Sequence, residues 1–227
     1  MLSKYAEFDT FIRADGIELE GTLGVPLEAQ GIVLFAHGSG SSRFSPRNNF
    51  VAGVLRHHRL ATLLIDLLTS REDQNYETRF DIELLTQRLA AVARWIKKES
   101  EVRDLPLGLF GASTGAASAL RLAASLGNGV AAVVSRGGRP DLAAGFLPRV
   151  TAPTMLIVGG DDDVVLELNR QAYEQLRCEK ELAVIPGATH LFEEPGALEA
   201  VADKAAVWFT RCFPTKKEMP TLIQAKE

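Results

Sequence analysis

Short apolar runs alternate with amphipathic helical stretches along most of this chain, and no other feature restricts the fold as strongly. A run without polar residues is typical of a parallel strand that helices cover on both faces. The pattern therefore predicts the α/β class, with a mostly parallel sheet between two layers of helices. The runs predict strands at residues 32–36, 60–65, 105–110, 130–134, 154–158 and 182–185.

Two further strands, at residues 8–13 and 17–25, are predicted to pair as a hairpin that turns at Asp15-Gly16. Residues 1–213 contain no linker or internal repeat, so we expect a single domain. The polar tail at residues 214–227 is predicted to be peripheral. Helices are predicted at residues 46–59, 82–96, 116–126, 166–177 and 197–213.

Composition excludes several classes of partner. The net charge of −4 argues against nucleic acid, because phosphate binding needs a basic surface. No stretch reaches the roughly 18–20 apolar residues of a membrane span, and the N-terminal residues lack the apolar centre of a signal peptide. Cys178 and Cys212 could form one disulfide, but two thiols in a reducing compartment are favoured. We therefore expect a cytoplasmic protein without a membrane partner.

The sequence Gly111-Ala112-Ser113-Thr114-Gly115 lies between a predicted strand and a predicted helix. This is the G-x-S-x-G pattern of a nucleophile elbow, in which a serine stands on a sharp turn from strand to helix. The turn needs small residues near the serine, and the start of the helix favours a negative oxygen. The alternative is a glycine-rich turn whose serine only caps the helix. The surrounding strand and helix favour Ser113 as a nucleophile.

A serine nucleophile needs a base within hydrogen-bond reach, and the chain has four histidines. His57 and His58 end a predicted surface helix, far from the end of any strand. His37 follows the third predicted strand, and His190 follows the last one. In folds that carry such a nucleophile elbow, the base comes after the nucleophile and the acid in chain order, so His190 is the predicted base.

The acid of such a triad orients the imidazole and stabilises its charged form. Asp161, Asp162 and Asp163 follow the strand at residues 154–158. The spacing from that strand favours Asp162, and Asp141 is the reserve candidate. We predict no metal, because the loops that bind hard cations alternate their ligands and no second carboxylate cluster is present.

The His-Gly-Ser-Gly sequence at residues 37–40 follows the third predicted strand. This loop is the expected source of a second oxyanion donor, so the predicted oxyanion hole is the backbone N–H groups of Ser39 and Thr114. The two glycines also begin a G-x-G-x-x-G dinucleotide pattern. However, Arg43 occupies the third glycine position, and the chain has no Gly-Lys pair for a phosphate loop. We therefore predict no cofactor.

Basic residues cluster in two predicted loops at the same sheet edge, with Arg43 and Arg47 in one and Arg136 and Arg139 in the other. His37, Arg43 and Arg136 are the candidate substrate-binding residues. One interpretation is an anion site, because arginine binds carboxylate or phosphate through two parallel hydrogen bonds. The favoured interpretation is that the arginines pair with acidic residues and brace the loops. The acidic candidates are Asp66, Glu72, Asp73 and Asp141.

These motifs together resemble the dienelactone hydrolase-like family of α/β hydrolases. The resemblance covers nearly the whole chain and rests on residues 37–40, 111–115, 152–165 and 187–192. Residues 37–48 and 135–142 also resemble a subgroup that is sometimes fused to a phosphoribosyltransferase domain, which we do not expect in this sequence. The resemblance implies the α/β-hydrolase fold, with a capless sheet of about eight strands and an esterase-type triad of Ser113, Asp162 and His190.

Two features depart from that family. Dienelactone hydrolases use a cysteine nucleophile where this chain has Ser113, and they carry a glutamate where this chain has the His37-Gly38 loop. The lactone substrate is therefore not transferred. We predict a hydrolase of small carboxylic esters that acts through an acyl-enzyme. The alternatives are hydrolysis of a thioester, lactone or phosphotriester, and a binding protein of hydrolase fold without turnover.

Overall fold

A computed structural model describes residues 5–14 and 16–214 of the chain. The strands in these residues are β1 Tyr5–Ala14, β2 Ile17–Pro26, β3 Gly31–Ala36, β4 Leu60–Ile65, β5 Leu107–Ala112, β6 Ala132–Arg136, β7 Thr154–Gly159 and β8 Lys180–Ile185. They form one sheet in the order β1-β2-β4-β3-β5-β6-β7-β8. The pairs β1–β2 and β2–β4 are antiparallel, and every other neighbouring pair is parallel. The predicted hairpin is confirmed as a strand pair, although Asp15 lies outside the described residues.

Helices cover both faces of this sheet: α1 Pro46–His57, α2 Ile82–Ile96, α3 Thr114–Leu126, α4 Asp163–Gln175 and α5 Ala197–Cys212. The central strand β3 is buried along its whole length. Its alternate side chains, Ile32 and Leu34, pack in one apolar cluster with α2 and α3. Val33 and Phe35 pack in a second cluster with α1 and α5. The predicted α/β class is confirmed, because apolar residues on both faces of the strand explain its unbroken apolar sequence.

The first helix begins as predicted but ends earlier. The Ser45 hydroxyl accepts a hydrogen bond from the Asn48 N–H at 3.3 Å, and Pro46 is the first helical residue. The helix ends at His57 rather than at residue 59, because Arg59 has a φ of 59°. That value lies in the left-handed region, which a right-handed helix cannot continue through.

Several other boundaries shift, and one shift bears on the site. Strand β6 ends at Arg136, two residues later than predicted, so Arg136 is the last strand residue and not part of the following loop. Helix α4 begins at Asp163, three residues earlier than predicted. The segment Pro140–Arg149 forms a 3₁₀ helix where no element was predicted. Charged residues such as Arg136 and Asp163 at the ends of elements obscure these boundaries in the sequence, because an apolar pattern does not include them.

The carboxyl ends of the six parallel strands β3 to β8 form one edge of the sheet. Strands β4 and β5 follow β3 along the chain and lie on opposite sides of it in the sheet. In doubly wound sheets a ligand binds at such a switch point, beyond the carboxyl ends of the strands. The loops after β3, β5, β6, β7 and β8 therefore surround the expected site.

Two sequence expectations concern features outside this edge. In the part of the chain that the structure describes, no helix combines the length and apolarity of a membrane span. Cys178 and Cys212 are free thiols rather than a disulfide, and burial raises the pKa of both. A raised pKa keeps a thiol protonated and unreactive. Residues 215–227 of the predicted tail lie outside the described residues.

Candidate active site

Ser113 stands between β5 and α3 in a strained backbone conformation, with φ of 51° and ψ of −122°. Such a conformation costs a non-glycine residue about 1–3 kcal/mol and persists only where its surroundings enforce it. The Ser113 N–H donates to the carbonyl of Arg136 at 3.2 Å, and the Arg139 N–H donates to the Ser113 carbonyl at 3.1 Å. The Ser113 side chain makes no capping hydrogen bond to α3. The geometry is that of the predicted elbow and not of a helix-capping serine.

The small residues around Ser113 are required by close chain approaches. A Cβ atom on Gly111 would lie 2.4 Å from the Cα of Ala116, and one on Gly115 would lie 2.2 Å from the carbonyl oxygen of Ala36. Both distances are shorter than any real contact, and both neighbours are backbone atoms. The two glycines therefore let β3 and α3 pass close to the elbow.

Asp162 and His190 come together from different loops. Asp162 follows β7, His190 follows β8, and Oδ2 of Asp162 lies 2.7 Å from Nδ1 of His190. The Asp162 side chain is 14 % exposed and that of His190 is 38 % exposed. Asp162 precedes α4 without capping it, so its carboxylate serves the histidine instead. Because a carboxylate accepts from Nδ1–H, Nε2 of His190 is left as the basic nitrogen.

A glycine at the end of β7, from which the sequence spacing to Asp162 is counted, permits this pairing. A Cβ atom on Gly159 would lie 2.2 Å from the carbonyl oxygen of Ala188 and 2.7 Å from that of Thr189. The Asp161 N–H also donates to the Ala188 carbonyl at 3.0 Å. The loops after β7 and β8 thus touch through backbone atoms. The paired glycines 159 and 160 between a strand and the aspartates are the signal that could have revealed this contact.

The other aspartates take different positions. Asp161 and Asp163 are exposed. The reserve candidate Asp141 makes two hydrogen bonds with the guanidinium of Arg139, at 2.8 and 2.9 Å. The structure therefore brings only Asp162 of these four to the histidine. Within residues 5–14 and 16–214, no group of His, Cys, Asp and Glu side chains is arranged to hold a metal.

His190 lies close to the elbow, and Gly137 is the residue between them. A Cβ atom on Gly137 would lie 3.5 Å from Cε1 of His190. Gly137 follows Arg136, whose carbonyl binds the Ser113 N–H. Among the described residues no hydrogen bond joins the Ser113 hydroxyl to His190, and in proteins without substrate such catalytic contacts are often long.

The predicted oxyanion donors are neighbours, but one of them is already bonded. The Ser39 N–H donates to Oγ1 of Thr114 at 2.9 Å. A side-chain hydroxyl satisfies the donor because a buried N–H without a partner is costly. The prediction that the Ser39 N–H is free for a substrate oxygen therefore needs correction: it becomes available only when the Thr114 hydroxyl moves aside.

His37 is a connector between loops rather than an open binding residue. Its Nε2 accepts from the Leu67 N–H at 3.1 Å, and its Nδ1 lies 2.9 Å from the Gly38 carbonyl. Both ring nitrogens are thus engaged with backbone, and the residue is buried. We correct its predicted role as a candidate substrate contact. His57 and His58 are exposed, as expected.

The arginines that the sequence analysis grouped together have different partners in the structure. Arg43 donates to Asp66 at 2.5 Å and lies 2.8 Å from Glu20, as the bracing interpretation predicts. Burial lowers the pKa of Arg43, but the hydrogen bonds to these carboxylates outweigh that effect and raise it. Arg136 pairs with none of the predicted acidic residues, so the bracing interpretation is wrong for this residue. Arg139 pairs with Asp141.

Comparison with known proteins identifies the family of this chain. The model of the dienelactone hydrolase family matches residues 70–214, a stretch that includes Ser113, Asp162 and His190. The chain belongs to the dienelactone hydrolase family. The protein is an α/β hydrolase, with the eight-stranded sheet described above.

Solved structures show the same fold. Dienelactone hydrolase from Anabaena variabilis ATCC 29413 is 51% identical and superimposes with a TM-score of 0.91, covering 93% of this chain and 100% of its own. Est1E from Butyrivibrio proteoclasticus is 18% identical, with a TM-score of 0.78 over 89% of this chain and 98% of its own. At that identity the similarity concerns the fold alone.

Curated relatives are longer than this chain. Two Mycobacterium tuberculosis proteins, from strains CDC 1551 / Oshkosh and ATCC 25618 / H37Rv, are each 56% identical over 196 residues. Both are named as candidate phosphoribosyl transferases. The match covers 86% of this chain but only 44% of theirs, so the chain spans less than half of their length. The names are consistent with the resemblance to a subgroup that carries a fused phosphoribosyltransferase domain.

Proposed function

We propose that this α/β hydrolase cleaves carboxylic esters through an acyl-enzyme on Ser113. The observation that carries the proposal is the 2.7 Å contact between Asp162 and His190, next to a serine held in a strained elbow. A nucleophile, a base and a group that orients the base are the three parts that such hydrolysis requires.

Each residue has one role in the reaction. Nε2 of His190 takes the proton of the Ser113 hydroxyl as its oxygen attacks the ester carbonyl, and then gives that proton to the departing alcohol. Asp162 holds the imidazole and stabilises its charged form. In the second half of the cycle His190 removes a proton from water, which attacks the acyl-enzyme, and Ser113 leaves with that proton.

The oxyanion is stabilised by backbone donors. The N–H of Thr114 is at the start of α3, where the helix dipole favours negative charge. The N–H of Ser39 is the second donor once the Thr114 hydroxyl rotates away from it. In the absence of substrate, that hydroxyl occupies the donor in the same way as a substrate oxygen would.

A lactone is a second candidate substrate, because the structure from Anabaena variabilis is named as a dienelactone hydrolase. A lactone is a cyclic carboxylic ester, so the same steps apply to it. The serine nucleophile departs from the cysteine expected of dienelactone hydrolases, and it favours ordinary esters as the first substrates to test.

The test combines labelling with turnover. A fluorophosphonate probe should label the native protein at Ser113 and should not label Ser113→Ala. A panel of nitrophenyl esters should be cleaved, with kcat lowered roughly 10³-fold or more in Ser113→Ala while circular dichroism shows an intact fold. Activity that persists in the purified variant would show that Ser113 is not the nucleophile.

A further inference from the structure

Arg136 is a buried arginine without an acidic partner among the described residues. Only 8 % of the residue is exposed, and its Nε and Nη1 atoms are buried without any hydrogen bond. The guanidinium forms no ion pair with any described residue. Its side chain lies over the ring of Phe192, with 5.9 Å between the guanidinium carbon and the ring centroid. Buried arginines are normally paired, so the missing counter-charge calls for an explanation.

A second arginine adds positive charge at the same place. Arg47, in the first turn of α1, is close enough to lower the pKa of Arg136. Its Nη1 donates to Glu193 at 3.0 Å, but its Nε is also buried without a partner. Burial is the larger cause of the shift, and together the two effects bring the pKa of Arg136 to about 10. Arg136 therefore stays charged at neutral pH.

The backbone of Arg136 lies beside the nucleophile, and its guanidinium lies against the loop that carries the base. Arg136 pairs in the sheet with Ala112, the residue before the nucleophile, and its carbonyl binds the Ser113 N–H. Phe192, which its guanidinium faces, is two residues after His190. The unpaired guanidinium is thus packed against the loop that carries the base, and Arg47 of α1 is joined to the same loop by its contact with Glu193.

We propose that Arg136 and Arg47 form an anion-binding subsite that holds a carboxylate or phosphate group of the substrate next to the ester bond. The subsite deepens the proposed function and rests on it for the identity of the substrate as an ester. A planar guanidinium binds either anion through paired hydrogen bonds, although a carboxylate is planar and a phosphate is tetrahedral. The ester substrate is accordingly anionic, and its free acid group orients its carbonyl toward Ser113.

The first test measures binding without chemistry. Titration calorimetry of the Ser113→Ala protein with inorganic phosphate, and separately with acetate, should show saturable binding of one or both anions, and the stronger of the two indicates the natural group. Arg136→Met and the more exposed Arg47→Gln, each in the Ser113→Ala background, should weaken that binding at least 10-fold. Arg139→Gln, whose native partner is Asp141, is the matched control and should bind normally. No saturable binding of either anion would overturn the subsite.

The second test uses two esters of the same shape. 4-Nitrophenyl hemisuccinate carries a carboxylate where 4-nitrophenyl levulinate carries a neutral ketone. The ratio of kcat/KM for the anionic ester to that for the neutral ester should fall at least 10-fold in Arg136→Met and should be unchanged in Arg139→Gln. An unchanged ratio in Arg136→Met would overturn the subsite even if both esters are cleaved well.

A stability measurement separates a binding residue from a bracing residue. Removing an unpaired buried charge should leave the Tm of Arg136→Met equal to or above that of the native protein, whereas a bracing arginine would lower it. Inorganic phosphate should raise the Tm of the native protein and not that of Arg136→Met. If no ester is cleaved by the native protein, the proposed function fails, while the calorimetry still decides whether the anion subsite exists.

Discussion

Arg43 and Arg136 lie at the same edge of the sheet, yet their surroundings are opposite. Arg43 reaches two carboxylates, on Asp66 and Glu20, and ties the loop after β3 to β2 and β4. Arg136 is more deeply buried and reaches none. A paired charge stabilises the loop that carries it, whereas an unpaired buried charge destabilises the fold until a ligand supplies the partner. Paired residues such as Arg43 therefore position the site, whereas the unpaired Arg136 is available to the proposed anionic substrate.

The same division applies to the aspartates. Asp141 is fully engaged with Arg139 at the surface of the 3₁₀ helix that follows β6. Asp162 precedes a helix that it does not cap, and it contacts His190 instead. Asp141 stabilises the segment after β6, and Asp162 orients the base His190. Substitutions on the two sides of this division should therefore have different effects.

The largest effect is expected from the base. His190→Ala should lower kcat/KM roughly 10³-fold or more, because it removes the base that is proposed to take the proton of Ser113. In the native protein kcat/KM should rise with pH through one ionisation, since only the neutral imidazole accepts a proton. The variant should lose that rise, and the exposed His57→Ala should keep it. The pH profiles check this, and an identical profile in His190→Ala would exclude His190 as the base.

The comparison of the aspartates is tested next. Asp162→Asn should lower kcat about 10²–10⁴-fold, because an amide no longer holds the imidazole in the productive form. Asp141→Asn should change kcat little, since it removes only the contact with Arg139. Steady-state kinetics on a neutral ester measures both. A greater loss in Asp141→Asn would show that the acid follows β6 and not β7.

The bracing role of Arg43 predicts a loss of stability rather than of selectivity. Arg43→Gln should lower the free energy of unfolding by about 1–2 kcal/mol, because Asp66 and Glu20 lose a partner in a partly buried position. Turnover of anionic and neutral esters should fall alike. Urea denaturation measures the first effect. Arg103→Gln is the control, since its pair with Asp104 is exposed. Normal stability with a selective loss of the anionic ester would reverse the roles of the two arginines.

The smallest effect concerns the contact between Ser39 and Thr114. Thr114→Val should lower the free energy of unfolding by about 1 kcal/mol, because the Ser39 N–H loses its acceptor in the empty protein. Thr114→Ser keeps the hydroxyl and should be close to the native protein. Thermal unfolding of the two variants makes the comparison. Equal stability of the valine and serine variants would mean that solvent already satisfies this N–H.

Much of the site could be predicted because its signals are local. The glycines around Ser113, the two glycines before Asp162 and the position of His190 after the last strand all reflect backbone requirements that a sequence shows directly. The strand boundaries were less accessible. Arg136 follows an apolar run and therefore indicated a loop, but it is the last residue of β6 because β5 and β7 both pair with it. Strands that are distant along the chain can pair without producing any pattern in the local sequence.

Residues that precede helices show most clearly what the sequence alone does not determine. Ser45, Asp81, Ser113 and Asp162 all directly precede helices in the structure, and the sequence by itself determined only that each is a polar residue near the start of a predicted helix. The side chains of Ser45 and Asp81 cap their helices. Those of Ser113 and Asp162 do not. Only the tertiary structure decided this, because strain at the elbow and the approach of His190 direct the second pair away from their helices. The pairing of Arg43 and the isolation of Arg136 have the same cause, since each depends on which charges other strands bring within reach.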